Sequence, residues 1–143
     1  MLFTKLMKSA LGLFYLIGGP LIHAYLIANH RALYAAIDDN AWPIYQRLWA
    51  HFVLPNLAPL VILLVLLEMV AGALMLSKRR RLAELGQLGG LLFNLVLIPF
   101  WFSAGIANLL LVLAHGWLLF QERQATDEQL GPQFVPLKQI RSA

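Results

Sequence analysis

Residues 57–81 read LAPLVILLVLLEMVAGALMLSKRRR. An α-helix rises about 1.5 Å per residue and the hydrocarbon core of a bilayer is roughly 30 Å thick, so about 20 consecutive apolar residues make a spanning helix. Residues 57–77 supply that length with a single formal charge, Glu68, and the run ends on Lys78, Arg79, Arg80 and Arg81. An apolar run that stops at a cluster of bases is the pattern of a span ending at a cytoplasmic surface. Working outward, three more stretches have the same character, at about 9–28, 82–102 and 106–121. The predicted fold is all-α, an integral membrane four-helix bundle over residues 1–123 with an amphipathic helix in its outer loop. Residues 124–143 are polar and carry Gly131, Pro132 and Pro136, so a loose cytoplasmic tail is expected there.

Composition supports the same reading. Of 143 residues, 60% are hydrophobic and 13% charged, against roughly 45–50% and about 25% in ordinary soluble domains. With a mean hydropathy of +0.71, the apolar surface exceeds what a core of this size can hide, which excludes a free cytosolic enzyme. There is no cysteine, so disulfides, thiol relays, iron–sulfur clusters, cysteine zinc sites and covalent haem attachment are excluded together. The basic balance is explained by orientation. Lys5, Lys8, Lys78, Arg79, Arg80, Arg81, Arg123, Lys138 and Arg141 fall on one side of the four spans, and only Arg31 and Arg47 on the other. The positive-inside rule then places both termini in the cytoplasm, and nucleic acid is not an expected partner.

The outer segment 29–56 has helical character of its own. Asn40 is placed to cap a helix with Pro43 in its first turn; Ile44, Leu48 and Phe52 recur at helical spacing, and Pro55 is expected to end it. Such a helix would lie on the outer leaflet, with Trp42, Trp49 and Trp101 at the interface. A plain lid over the bundle would have the same pattern.

Polar residues inside the spans carry the functional reading. At about 1.5 Å per residue, Glu68 and Asn94 lie roughly 12 Å from the outer ends of their spans, His115 about 14 Å and His23 about 8 Å, so each helix sends one polar residue into one layer. Residues seven apart share a helix face. Span four carries Asn108, His115 and Glu122 at that interval, span one His23 and His30, and span three a stripe of Glu84, Gln87, Leu91 and Asn94. A mid-membrane carboxyl costs several kcal/mol unless it is protonated, paired or wet, which makes Glu68 a candidate functional residue, expected to be protonated or paired with His115. Asn94, Asn108 and the histidines could equally be helix glue. Gly18, Gly19 and Pro20 interrupt span one just below His23, and Pro99 follows Asn94 in span three; kinks at both would open space beside the layer. Gly86 and Gly90 form a close-packing pair better suited to the bundle interior than to a dimer seam. No nucleophile elbow, phosphate loop or metal-ligand pair is present, so no catalytic residue and no metal site is assigned.

The run LGLFYLIGGPLIH (11–23) resembles the first helix of the DoxX-like family of small bacterial four-span membrane proteins, and LEMVAGALML (67–76) with the basic turn after it resembles the second. The resemblance extends over about residues 6–123. It implies a protein of the bacterial inner membrane associated with quinone-linked redox complexes, without an activity necessarily its own. Three functional readings follow. In the first, His23, Glu68, Asn94 and His115 bound a cavity for a quinone or similar amphipathic ligand, roofed by the outer helix, and the chain serves a protein partner or a homo-oligomer. In the second, it is a structural accessory subunit or assembly factor. In the third, His23 and His115 hold a b-type haem, although their depths differ by about 6 Å.

Overall fold

The structure, a computed structural model, describes residues 2–30, 32–33, 41–99 and 102–130, with the side chains of 102–104 and 125–130 left aside. No strand occurs among them. Four long helices are seen among the described residues: α1 (Leu2–Asn29), α2 (Pro43–Met75), α3 (Arg80–Leu97) and α4 (Phe102–Leu130). A short turn joins α2 to α3, and consecutive helices pack antiparallel. A 2.6 Å ion pair from Lys8 to Glu122 closes α1 against α4. That pair, the start of α1 and the turn of Lys78 and Arg79 all lie at one end of the bundle.

Glycines set how closely the helices approach. A Cβ on Gly72 of α2 would come within 2.5 Å of the Leu16 nitrogen and 2.6 Å of the Gly12 oxygen on α1. One on Gly86 of α3 would lie 2.6 Å from the Met75 nitrogen of α2, and one on Gly90 would lie 2.7 Å from the His115 ring of α4. Gly86 and Gly90 are therefore both used inside the bundle. Such backbone-close seams are how helices associate where lipid removes the ordinary hydrophobic driving force. The buried core is small, formed by Leu11, Tyr15, Met75 and Leu118 with Phe93, Leu111 and Trp117 packed on it.

The burial pattern is inverted relative to a soluble helix. On α3, Ala83, Gly86, Gln87, Gly90 and Asn94 are buried, while Leu85, Leu92, Leu95 and Val96 are each at least half exposed. Small and polar groups face inward and branched apolar groups outward, which is the arrangement a hydrocarbon solvent favours. By length and composition, three helices could cross a membrane: Leu2–Asn29, Pro43–Met75 and Gly105–Gln124. The stretch expected as the third of four spans, 82–102, contributes instead the 18-residue helix Arg80–Leu97, whose polar interior stripe and charged first turn leave it less apolar than the others.

The boundaries differ from the sequence expectation for identifiable reasons. α1 begins at Leu2 because Lys5 and Lys8 are good helix formers and continue the helix beyond its apolar part. Pro55 does not end the outer helix. Pro43–Leu48 passes through a π turn, Trp49–Val53, and a 3₁₀ turn, Leu54–Asn56, directly into Leu57–Met75. The outer helix is thus an extension of span two. Its residues Ile44, Leu48 and Phe52 are exposed.

α3 stops at Leu97, since Pro99 has no N–H to offer the Leu95 carbonyl, and the expected kink there is a helix end. α4 runs to Leu130, seven residues into the expected tail, through helix-forming residues that meet no breaker until Gly131. Arg31, Asn40, Trp101 and residues 131–143 lie outside the described residues.

The interruption in α1 takes a specific form. Phe14–Gly18 is a π-helical turn in which the Gly19 N–H reaches back to the Phe14 oxygen. Pro20 cannot donate to the Leu16 carbonyl and its ring crowds that oxygen; widening the preceding turn by one residue relieves both problems. The same device precedes Pro55, where the Leu54 N–H bonds the Trp49 oxygen.

Candidate functional site

Among the described residues four polar side chains are buried: Glu68 on α2, Gln87 and Asn94 on α3, and His115 on α4. They sort into two clusters. In the first, Asn94 Nδ2 donates to the Gly90 carbonyl at 2.6 Å and to the Tyr15 hydroxyl oxygen. The carbonyl can only accept, which fixes the amide nitrogen on that side of Asn94. Among the described residues the Tyr15 proton then has one acceptor, His115 Nε2 at 3.2 Å. A neutral imidazole accepting at Nε2 carries its proton on Nδ1, and Nδ1 lies 2.5 Å from Gln87 Oε1, ready to donate. The cluster is a directed chain, Asn94 to Tyr15 to His115 to Gln87, that stitches α3, α1 and α4 together without a formal charge. It leaves Gln87 Nε2 buried without a hydrogen-bond partner.

The second cluster joins α1 to α2. His23 Nε2 lies 3.3 Å from Glu68 Oε1, while Oε2 is buried without a hydrogen-bond partner. The carboxyl sits where a helix side chain would normally be, since a Cβ on Gly19 would meet Glu68 Oε2 at 2.6 Å. Gly19 is therefore the residue that makes room for Glu68.

The four residues expected to bound one cavity divide two and two. Glu68 pairs with His23 rather than with His115. In an antiparallel bundle in which α1 and α3 each pack on α2 and on α4, α2 and α4 are diagonal. His115 is held in the α3–α4 seam against Gly90. Tyr15 and Gln87 were not among the expected site residues. Tyr15 falls on one face with Gly19 and His23 at four-residue spacing, and Gln87 stands seven residues before Asn94, so helical periodicity carried a signal for both. Both His115 ring nitrogens are engaged and the ring is packed against Gly90, so these residues do not fit a haem held by two histidines. Among the described residues no group of three or more His, Asp or Glu could hold a metal ion.

Two grooves open on the outer surface of α2. One, of about 260 Å³, lies between α2 and α3. Its walls are apolar, with Leu67, Val70, Leu85 and Phe93 among them, and its polar lining is Tyr15 and Glu68. Gly89 is an exposed part of its lining, and a Cβ there would meet nothing within 4 Å. The other, of about 330 Å³, lies between α1 and α2, where Pro20, His23 and Val61 contribute to an otherwise apolar wall. Asn94 and His115 line neither groove.

No protein-family model, curated protein or solved structure matches the chain.

Proposed function

We propose that the chain is an integral four-span protein of a bacterial inner membrane, with Lys5, Lys78 to Arg81 and Arg123 on the cytoplasmic side. Its α2–α3 groove receives the head group of a quinone or similar amphipathic ligand on behalf of a membrane redox complex. The observation that carries the reading is a buried carboxyl with an unpartnered oxygen, set in the wall of an apolar groove that opens toward the surrounding lipid. An ionisable group in that position costs free energy that helix packing alone does not require, and intramembrane carboxyls characteristically mark ligand or proton sites. A slot with long apolar walls and one convergent polar edge suits a small ring carrying an alkyl tail. Though α3 is less apolar than its neighbours, its antiparallel packing on α2 supports reading it as the fourth span. The redox setting comes from the DoxX-like resemblance of residues 11–23 and 67–76.

The test exploits Gly89. Replacing it with Leu fills the groove without a collision at Cβ and improves helix propensity by roughly 1 kcal/mol. In lipid nanodiscs, the parent is expected to bind a decyl-quinone probe in its oxidised or its reduced form, and Gly89→Leu to bind the same form at least about tenfold more weakly while unfolding at the same or higher temperature. Equal binding by the two proteins, or none by the parent, would refute the reading.

A structural role is favoured by a different observation. Of the Asn94–Tyr15–His115–Gln87 chain only Tyr15 lines a groove, and the other three residues bind helix to helix, as expected of helix glue. On that reading the protein is an accessory subunit or assembly factor, and Gly89→Leu would support its partner's activity as well as the parent does.

A further inference from the structure

The groove between α2 and α3 presents two polar groups, and the hydrogen-bond assignment determines what each has left to offer. The Tyr15 proton is committed to His115 Nε2, and one Tyr15 lone pair takes the Asn94 N–H. What remains on that oxygen is a second lone pair. Glu68 is 6% exposed; its Oε1 faces His23 Nε2, and Oε2 has no hydrogen-bond partner. In its carboxylate form Glu68 accepts only, and a single bond among the described residues draws on its several lone-pair positions. With Glu68 in that form the polar edge of the groove consists of acceptors, against walls of Leu67, Leu85 and Phe93.

An acceptor-only edge discriminates between ligands that share a ring and a tail. A ligand hydroxyl can donate to it, and hydrogen bonds to a charged acceptor are stronger than neutral ones. A ligand carbonyl brings a second acceptor into a dry site, where it would be desolvated and opposed by the carboxylate. We propose that the groove selects the hydroxyl-bearing form of an aromatic amphiphile, a hydroquinone or alkylphenol, over the corresponding carbonyl or ether form, with Glu68 and Tyr15 accepting the ligand hydroxyl. This rests on the reading that the groove holds an amphipathic ligand, and it specifies the ligand class and oxidation state. Glu68 is the specificity-determining residue, and His115 acts through Tyr15 by holding its proton away from the groove.

The experiment compares matched probes on the full chain in nanodiscs: decyl-hydroquinone under argon against decyl-benzoquinone, and, to remove redox chemistry, decylphenol against its methyl ether. The hydroxyl member of each pair is expected to bind at least about tenfold more tightly, the effect of one charge-assisted hydrogen bond. In Glu68→Gln, whose amide can donate to a carbonyl or ether oxygen, the preference should fall to within about threefold. Equal affinity within both pairs, with Gly89→Leu blocking every probe, would overturn the selectivity and leave the groove reading standing. Tighter binding of the carbonyl or ether member would overturn it too, since the edge would then be a donor. If no probe binds, the groove reading fails and this inference with it. Should Glu68→Gln not fold, the comparison within each pair on the parent protein decides the question.

Discussion

Gly72→Ala tests the architecture at its tightest point. The added Cβ would sit 2.5 Å from the Leu16 nitrogen, 2.6 Å from the Gly12 oxygen and 2.9 Å from the Leu16 Cα, all backbone atoms. No side chain can swing aside, so reaching an ordinary contact of 3.4 Å from 2.5 Å requires α1 and α2 to part locally by about 0.9 Å. Overpacking of that kind costs about 1–3 kcal/mol, and a rigid backbone obstacle belongs at the upper end. Helix propensity returns up to about 1 kcal/mol, for a net loss of about 2 kcal/mol. Gly116→Ala is the control, because its Cβ would meet nothing within 4 Å and only the propensity gain of roughly 0.5–1 kcal/mol applies. Reversible unfolding in mixed dodecylmaltoside and SDS micelles, followed by far-UV circular dichroism, should therefore separate the two variants by about 3 kcal/mol. Equal stabilities would refute the reasoning, since α1 and α2 could not then approach through Gly12 and Gly72.

Three further outcomes are expected. Gly19→Ala places a Cβ 2.6 Å from Glu68 Oε2; the carboxyl can move, so the protein should fold while the His23–Glu68 contact of 3.3 Å is lost, read as a changed His23 ring signal by NMR. Tyr15→Phe leaves the His115 acceptor and one Asn94 N–H unsatisfied and should cost about 1–3 kcal/mol of stability in the same unfolding assay; a neutral result would mean that the hydrogen-bond chain through Tyr15 does not form. Single cysteines at Asp39 and Gln133 report orientation: a membrane-impermeant maleimide added to spheroplasts should label Asp39→Cys and spare Gln133→Cys, and the opposite pattern would invert the topology.

Much of the helical architecture was legible because long apolar runs are conspicuous in the composition. Runs such as 57–77 announce a helix long and apolar enough to cross a membrane. What composition marks, however, is the apolar stretch and not the helix. Lys5, Lys8 and the residues after Glu122 are charged yet helix-favouring, so α1 and α4 extend past their apolar limits. α3 errs the other way, because its inward stripe of Gly86, Gln87, Gly90 and Asn94 lowers the very hydropathy that would have announced a span. Residue rise assigns each polar residue a height along its helix, and pairing does not follow from height. Depth is a one-dimensional coordinate, whereas the choice of His23 over His115 as the partner of Glu68 depends on which helices are neighbours and which are diagonal.

Proline was the residue most easily misread, and its two uses here connect the fold to the site. A proline inside an apolar run is ordinarily a kink or a stop. At Pro20 and Pro55 the chain instead inserts a π turn just ahead, keeping the helix continuous while shifting the angular register of everything before the turn relative to everything after it. In α1 that turn carries Tyr15 and precedes His23. Tyr15 meets Asn94 and His115, while Gly19 and His23, one and two turns further on, face Glu68 of α2. At about 100° per residue a regular helix would set residues 15 and 23 about 80° apart, and the one residue inserted by the π turn brings them back to the near-alignment of residues seven apart. A single helix thus serves both polar clusters from nearly one face at successive turns, and Tyr15 and Glu68 line a common groove although they belong to separate networks. At Gly19 the omitted Cβ makes room for the Glu68 carboxyl beside the polar layer.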